Sequence, residues 1–353
     1  MRTPSDSPGR PRVGIVGAGF GGHVHAPAFA ASGDFDVVAI ASPNRAAAVA
    51  KTRKIEQSFD SLAAMLDGAE IDVVSIATPP YEHRGQVLAA LARGKHVLCE
   101  KPFGLNVAEC EEMVAAASAA GTVCALAHEF RYVPAQLATF ELIRNGHLGA
   151  LREIEIAWLG SWLRATGERP NSWFFERRRG GGITGAILSH LVDLARWLAA
   201  SPVRRVAGFE RTANPERGVA EARFASDVAD GAFALLAYDG GVVARCTADA
   251  TCAHDSSLVA AHGEHATAVS SGPSITQSAT YVIDADEHSE LELKESRFTK
   301  LAAARPDIPA FTDLVCDFAR AIRGEEAPHL PRFADGLATQ RVLTTIGYET
   351  ASL

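Results

Sequence analysis

The chain has 353 residues, enough for two domains of roughly 150 residues each, and 47 % of them are apolar. Its 34 lysines and arginines against 42 acids leave a net charge of −8, with no basic run longer than Arg177-Arg178-Arg179, so nucleic acid is not an expected partner. There is no stretch of about 20 apolar residues and no signal-like apolar run beside the polar residues 1–12, so a soluble, cytoplasmic protein without a membrane partner is expected. The six cysteines lack a C-x-x-C pair or zinc-like spacing and read as buried free thiols in a reducing compartment.

In chain order, residues 13–16 form a short apolar strand that runs into Gly17-Ala18-Gly19-Phe20-Gly21-Gly22. That is a G-x-G-x-x-G turn, followed by a helix over about 22–32. The first glycine permits a tight bend, the second lets a pyrophosphate approach the backbone, and the third lets helix and strand pack closely. The N–H groups from Phe20 onward would meet phosphates with the positive end of the helix dipole. The next strand, Asp36–Ala41, has βαβ spacing and ends at Ser42-Pro43-Asn44-Arg45, where such folds carry their ribose-reading residues. A hydroxyl at Ser42 in place of the usual acid, with Arg45 three residues on, points to NADP in preference to NAD. The alternative is that Arg45 is a solvated residue at the start of the alanine-rich helix that follows.

A helix over 61–66 leads to an apolar strand at 71–77, suited to burial on both faces of a parallel sheet. It ends in Thr78-Pro79-Pro80-Tyr81-Glu82-His83, whose prolines stiffen the loop that lines the ligand crevice in open α/β sheets. A helix with Val87, Leu88 and Leu91 on one face stops at Gly94, and a strand at 96–99 delivers Glu100-Lys101-Pro102 to the same crevice. Lys101 would there hydrogen-bond and polarise a substrate oxygen; the alternative is a strand-end lysine in solvent.

The glycine turn, Thr78-Pro79 with His83, and Glu100-Lys101-Pro102, at these spacings, resemble the Gfo/Idh/MocA oxidoreductases, the family of glucose-fructose oxidoreductase and inositol dehydrogenase. The resemblance implies a cofactor held by Gly17, Gly19, Phe20, Gly22, Ser42, Asn44, Arg45, Thr78, Pro79, His83, Glu100 and Lys101. It also implies a catalytic Lys101 that touches cofactor and substrate, with a peptide bond to Pro102 that is cis in many members.

After a helix at 107–120 and a strand at 123–127, the stretch His128-Glu129-Phe130-Arg131-Tyr132-Val133-Pro134 resembles the family's crossover. Arg131 is open to two readings, contact with an anionic or polyhydroxylated substrate and an interdomain salt bridge. A helix at 136–145, the alternating strand Leu151–Leu159 and a β-rich stretch over about 203–293 follow. Ahead of that stretch, a helix over 183–200 opens after Gly180-Gly181-Gly182. The family pattern here has Asp, then His four residues on, then Asp three further; this chain has Ala186, His190 and Asp193. Residues i and i+4 share a helix face, so His190 is expected on the crevice side as acid/base, the alternative being a core histidine beside Leu191 and Leu194. With no acid at 186, Asp193 or the substrate is left to orient the ring, and a lower histidine pKa is expected. Trp173 joins Lys101, Arg131, His190 and Asp193 in the implied substrate set. No His/Asp/Glu cluster has metal spacing. Helices at 311–322 and 333–348 end the chain.

The expected architecture is α/β: a parallel Rossmann sheet over 1–130, then an α+β domain over 131–353 on a large, mostly antiparallel open sheet that serves substrate binding and oligomerisation. The resemblance implies hydride transfer between NADP, or NAD, and a secondary alcohol or ketone of a sugar, polyol or cyclitol, in a homodimer or homotetramer. A nucleotide-binding sensor of the same fold without turnover is the rival reading. The missing acid at 186 favours it, and retention of Lys101 and His190 opposes it.

Overall fold

The computed structural model describes residues 9–167, 169–285 and 287–348; the first eight residues, part of the expected polar lead-in, lie outside the described residues. Its first sheet has six parallel strands: β1 (Arg12–Val16), β2 (Asp36–Ala41), β3 (Gln57–Phe59), β4 (Val73–Ile76), β5 (His96–Cys99) and β6 (Cys124–Leu126). Crossovers through α1 (Ala26–Ser32), α2 (Ala46–Arg53), α3 (Leu62–Gly68), α4 (Pro80–Ala92) and α5 (Val107–Ala120) give the doubly wound order β3-β2-β1-β4-β5-β6. With helices on both faces, β4 is buried along its whole length, as its unbroken apolar run anticipates. Ser61 caps α3 by accepting from Ala64 N at 3.1 Å, and Asn106 caps α5 by accepting from Glu109 N at 2.9 Å. In such a parallel sheet the loops after β1, β2, β4 and β5 leave from one edge, which is where a crevice forms.

The crossover leads into α6 (Pro134–Arg144) and, after β7 (Leu151–Leu159), to α7 (Ser189–Ala199). Further strands are β8 (Val203–Arg211), a small pair β9 (Glu216–Arg217) and β10 (Phe224–Ala225), β11 (Gly231–Tyr238), β12 (Val243–Asp249), β13 (Ser256–Gly263), β14 (Thr267–Ser274), β15 (Gln277–Ile283) and β16 (His288–Glu290). Eight of these form the second sheet, in the order β16-β15-β14-β13-β7-β12-β11-β8, antiparallel except for the β7–β12 pair. One face is covered: α6 packs on β13 to β15, α7 packs on β7 and β12, and Cys246 donates to Leu191 O at 3.7 Å. Residues of the other parity face away from these helices, and among them Phe209 and Leu235 are 59 % and 48 % exposed.

The helix expected over 22–32 opens as a wide turn at Gly21–His25 before α1, and two further features depart from the expectation. The continuous helix over 183–200 is instead a wide, five-residue-spaced turn at Thr184–Leu188 followed by α7. The added residue per turn removes the simple i, i+4 face that Ala186 and His190 are expected to share. Within the turn, a Cβ at Gly185 would stand 2.9 Å from Pro102 Cγ, so only glycine lets the turn approach the loop after β5 this closely. The second departure is at the end of the chain. Helices α8 (Ile308–Ile322) and α9 (Phe333–Thr345), which the sequence assigns to the second domain, pack back on α1 and α5. Phe318 stacks on Phe35 at 6.0 Å, Phe333 meets Phe103 at 4.5 Å, and Leu126 N donates to Pro331 O at 2.9 Å, covering the β6 edge. Among the described residues, no helix is long and apolar enough to cross a membrane.

Gly17 has φ of +105°, and a Cβ there would stand 2.3 Å from the Ala77 carbonyl oxygen. Gly17→Ala is therefore expected to lower stability by at least about 2 kcal/mol in urea unfolding, from backbone strain plus a displaced strand end. Gly33→Ala, also at positive φ but with nothing within 4 Å, is the control, and its cost should stay near about 1 kcal/mol.

Candidate active site

A crevice of about 640 Å³ lies at the C-terminal ends of β1, β2, β4 and β5. Gly17, Gly19 and Phe20 line it from the loop after β1, and Ser42 and Arg45 from the loop after β2. Thr78, Pro79, Glu100, Lys101 and, from the other layer, Trp173 complete the expected set found there. A Cβ at Gly19 would meet nothing within 4 Å, so this backbone stands open to the crevice, whereas one at Gly22 would stand 2.8 Å from Val49 Cγ1. The glycines thus act as their spacing anticipates: one bends, one opens, one packs. An open glycine backbone at a helix start, bordered by Arg45, fits the pyrophosphate and ribose parts of a dinucleotide. Asp60, which the sequence reading missed, lies exposed on the same border.

Gly22, Asn44 and His83, expected at the cofactor, do not line the crevice. His83 is fully buried, with Nδ1 3.0 Å from Pro102 O and Nε2 2.9 Å from Thr78 O. Both partners are acceptors, so a neutral ring donates to one at a time, and burial holds the His83 pKa below its ordinary value. Its part is to tie the loop after β4 to the loop after β5.

Glu100 is 6 % exposed and faces inward onto a buried pair that the sequence did not signal. His25 Nε2 lies 3.0 Å from Glu100 Oε1, and His25 Nδ1 lies 2.7 Å from Ser75 Oγ. An ionised carboxylate only accepts, so Nε2 donates to Glu100, and Nδ1 pairs with the Ser75 hydroxyl. Burial works against the Glu100 charge, but the His25 hydrogen bond and the Lys101 ammonium outweigh it and hold the carboxyl below its ordinary range. Lys101 follows with a cis peptide bond to Pro102, and its Nζ donates to Ala186 O at 3.0 Å. The wide turn therefore offers Lys101 a backbone carbonyl at the position where the family pattern has an acid.

His190 does not line the crevice; it is 2 % exposed, stacked on Phe130 at 4.2 Å with His128 edge-on at 5.3 Å. Burial, then the Lys101 and His128 charges, hold its pKa well below the ordinary value, in the direction expected from the missing acid. Asp193 is not its partner. The nearest carboxyl oxygen is Glu129 Oε1, 3.9 Å from His190 Nε2. Burial and the Glu100 charge push the Glu129 carboxyl up to about 8. The only sequence sign of Glu129 is its standing as a lone acid in the apolar run before Arg131.

Arg131 and Asp193, both expected at the substrate, are engaged with each other. Arg131 Nε and Nη2 donate to Asp193 Oδ2 and Oδ1 at 2.7 and 2.6 Å, and both side chains are buried. This is the salt-bridge reading of Arg131, joining the crossover to α7. Among the described residues, no group of three or more His, Cys, Asp or Glu is arranged to hold a metal ion.

Sheet order, glycine crevice and the lysine at its edge define a two-domain protein of the dinucleotide-binding class. Residues 11–128 match the family model of an oxidoreductase family with an NAD-binding Rossmann fold, and residues 137–269 match that of the GFO/IDH/MocA C-terminal domain. The chain belongs to the Gfo/Idh/MocA oxidoreductases. It is 38 % identical over 189 residues to an uncharacterised oxidoreductase of Synechocystis sp., covering 53 % of this chain and 50 % of that one. It is 33 % identical over 197 residues to levoglucosan dehydrogenase of Pseudarthrobacter phenanthrenivorans, again covering 53 % and 50 %. The chain thus spans about half the length of these curated relatives. A solved levoglucosan dehydrogenase in complex with NADH has the same fold, with a TM-score of 0.83 and 24 % identity over 96 % of each chain.

Burial opposes the Asp193 charge, and the Arg131 guanidinium outweighs it, holding the carboxyl below its ordinary value. Arg131→Ala strands that charge and should cost about 3–5 kcal/mol in urea unfolding at neutral pH. Arg131→Met combined with Asp193→Leu should recover most of the loss. The Asp193 contribution is complete above its unfolded value of about 3.9 and is lost as pH falls through the depressed folded value. The gap between wild type and Arg131→Ala should therefore narrow in acid.

Proposed function

We propose that this oxidoreductase is an NAD(P)-dependent dehydrogenase or reductase acting on a secondary alcohol or ketone of a sugar, polyol or cyclitol. The observation that carries the reading is the conjunction of Lys101 with the buried His190 beside a crevice whose glycine backbone is open for pyrophosphate. When bound, the nicotinamide supplies or accepts the hydride. Gly17, Gly19 and Phe20 hold the pyrophosphate, Ser42 and Arg45 the ribose end, and Thr78 and Pro79 the middle of the crevice. Lys101 trades its Ala186 carbonyl partner for the substrate oxygen and polarises it, while His190 moves the hydroxyl proton. Trp173 walls the substrate side, and Arg131 with Asp193 keeps α7 in place. The similarity to levoglucosan dehydrogenase supports a sugar-like substrate.

The nucleotide-binding unit runs to about residue 130, with the rest forming the substrate unit and lending α8 and α9 back to the first. The uncovered sheet face, with Phe209 and Leu235 exposed and Phe209 stacked on Phe233 at 4.9 Å, is the association surface of a homodimer or homotetramer. Light scattering at micromolar concentration should give at least a dimer. The six cysteines are free thiols, in keeping with a reducing cytoplasm.

A panel of ketoses, inosose-like ketones and their alcohols, assayed with both cofactors, tests the reaction. His190→Ala should lower turnover on the best substrate by about 10²–10⁴-fold with NADPH binding nearly unchanged. Unchanged turnover would remove His190 from the mechanism. In calorimetric titration NADPH should bind more tightly than NADH. Arg45→Ala should weaken NADPH the more, and Asp60→Asn should tighten it by removing a charge that repels a 2′-phosphate.

A further inference from the structure

We infer that Glu129 holds the reserve proton of the active site and exchanges it through the His190 ring, taking from the crossover segment the part that an acid at position 186 would take from the helix. The inference rests on the reading of His190 as acid/base. Glu129 is 5 % exposed, with Oε1 3.9 Å from His190 Nε2 and Oε2 buried without a hydrogen-bond partner. The ring's other nitrogen, Nδ1, is also buried without a hydrogen-bond partner, as is Nδ1 of His128 beside it. Buried polar atoms are ordinarily satisfied, and three spare ones on adjoining groups mark a site that completes itself with something else.

The charged and titratable groups facing Glu129 are Glu100 and Lys101 after β5, Asp307 and Arg305 ahead of α8, and His190 with His128 beside it. In this setting Glu129 is pushed up to about 8 while burial and Lys101 hold His190 well below its ordinary value. At neutral pH the proton therefore sits on the carboxyl and the ring is uncharged. In ketone reduction the carbonyl carbon takes the hydride with its electron pair and the oxygen takes a proton. Nδ1–H gives that proton while the Glu129 O–H gives its own to Nε2. The ring ends neutral in its other tautomer, and Glu129 ends as carboxylate. After product leaves, a solvent proton entering at Nδ1 returns the Nε2 proton to Glu129. Alcohol oxidation runs the same transfers in reverse. The ring never carries a charge, which its burial opposes, and the 3.9 Å between Glu129 Oε1 and His190 Nε2 has to close for the transfer.

Glu129→Gln keeps the shape and removes the transferable proton, and Glu129→Asp restores one. On the best substrate of the panel, wild-type reduction should slow and oxidation quicken as pH rises through about 8. In Glu129→Gln both changes should vanish and turnover should fall by up to about 10²-fold, with Glu129→Asp recovering part of the rate and a shifted pH dependence. A second readout needs neither cofactor nor substrate. The fold holds a proton on Glu129 that the unfolded chain releases above about 4.3. Wild-type thermal stability should therefore fall relative to Glu129→Gln between about pH 5 and 8. A stability difference that is flat across that range overturns the inference. So does an unchanged pH–rate profile in Glu129→Gln, and if His190→Ala is inactive the acid/base reading stands without the relay. Full turnover in His190→Ala overturns the acid/base reading and the relay together.

Discussion

The hydrogen bond from Lys101 Nζ to the Ala186 carbonyl is the point on which the two layers of the site meet. Its strand side is fixed from beneath. Glu100 is charged and buried because His25 donates to it, His25 is oriented by Ser75, and His83 ties the neighbouring loops together. Its helix side depends on a turn widened by one residue and on Gly185 lying against Pro102. A side chain at 185 or a regular helical turn would shift the carbonyl away from the ammonium. The position of the Lys101 ammonium thus rests on short, directional contacts from the strand end on one side and the turn before α7 on the other.

Around that cation, three carboxyls of similar burial differ in charge according to what faces each of them. Glu100 has a histidine donor and a lysine, and Asp193 has a bidentate arginine, so both are held ionised against the cost of burial. Glu129 has neither at hydrogen-bonding distance, and burial with Glu100 nearby pushes its carboxyl up to about 8. The contrast comes from partners, not from depth. It puts a carboxyl that favours its protonated form next to an imidazole, while Glu100 and Asp193 favour their charge.

What was legible in the sequence was local. The glycine turn, the alternation of Leu151–Leu159, the helix Val107–Ala120 and the Glu100-Lys101-Pro102 loop each declare themselves within a few residues, because turn sterics and apolar periodicity act at short range. The site's polar pairing was not legible. His25 meets Glu100 across 75 positions and Arg131 meets Asp193 across 62, and nothing in the neighbourhood of either residue announces the partner. The spacing from the glycines points to His190, and the carboxyl on the same helix, Asp193, pairs with Arg131 instead of with the ring. Tertiary packing brings Glu129 to the ring from a different segment, and the widened turn removes the helical face that i, i+4 spacing implies.

The return of the last two helices to the first sheet bears on how the chain is made. Phe35 and Phe103 find Phe318 and Phe333, and the β6 edge finds Pro331, only when nearly the whole chain is present. On a ribosome adding about 5–20 residues per second, the nucleotide-binding half waits roughly 10–40 s for the segment that seals it. During that interval an apolar helix face and an unpaired strand edge stand open to solvent, the condition under which nascent chains pair with the wrong neighbour. The exposure of the nucleotide-binding half during synthesis therefore ends only with α8 and α9, although neither contributes a side chain to the crevice.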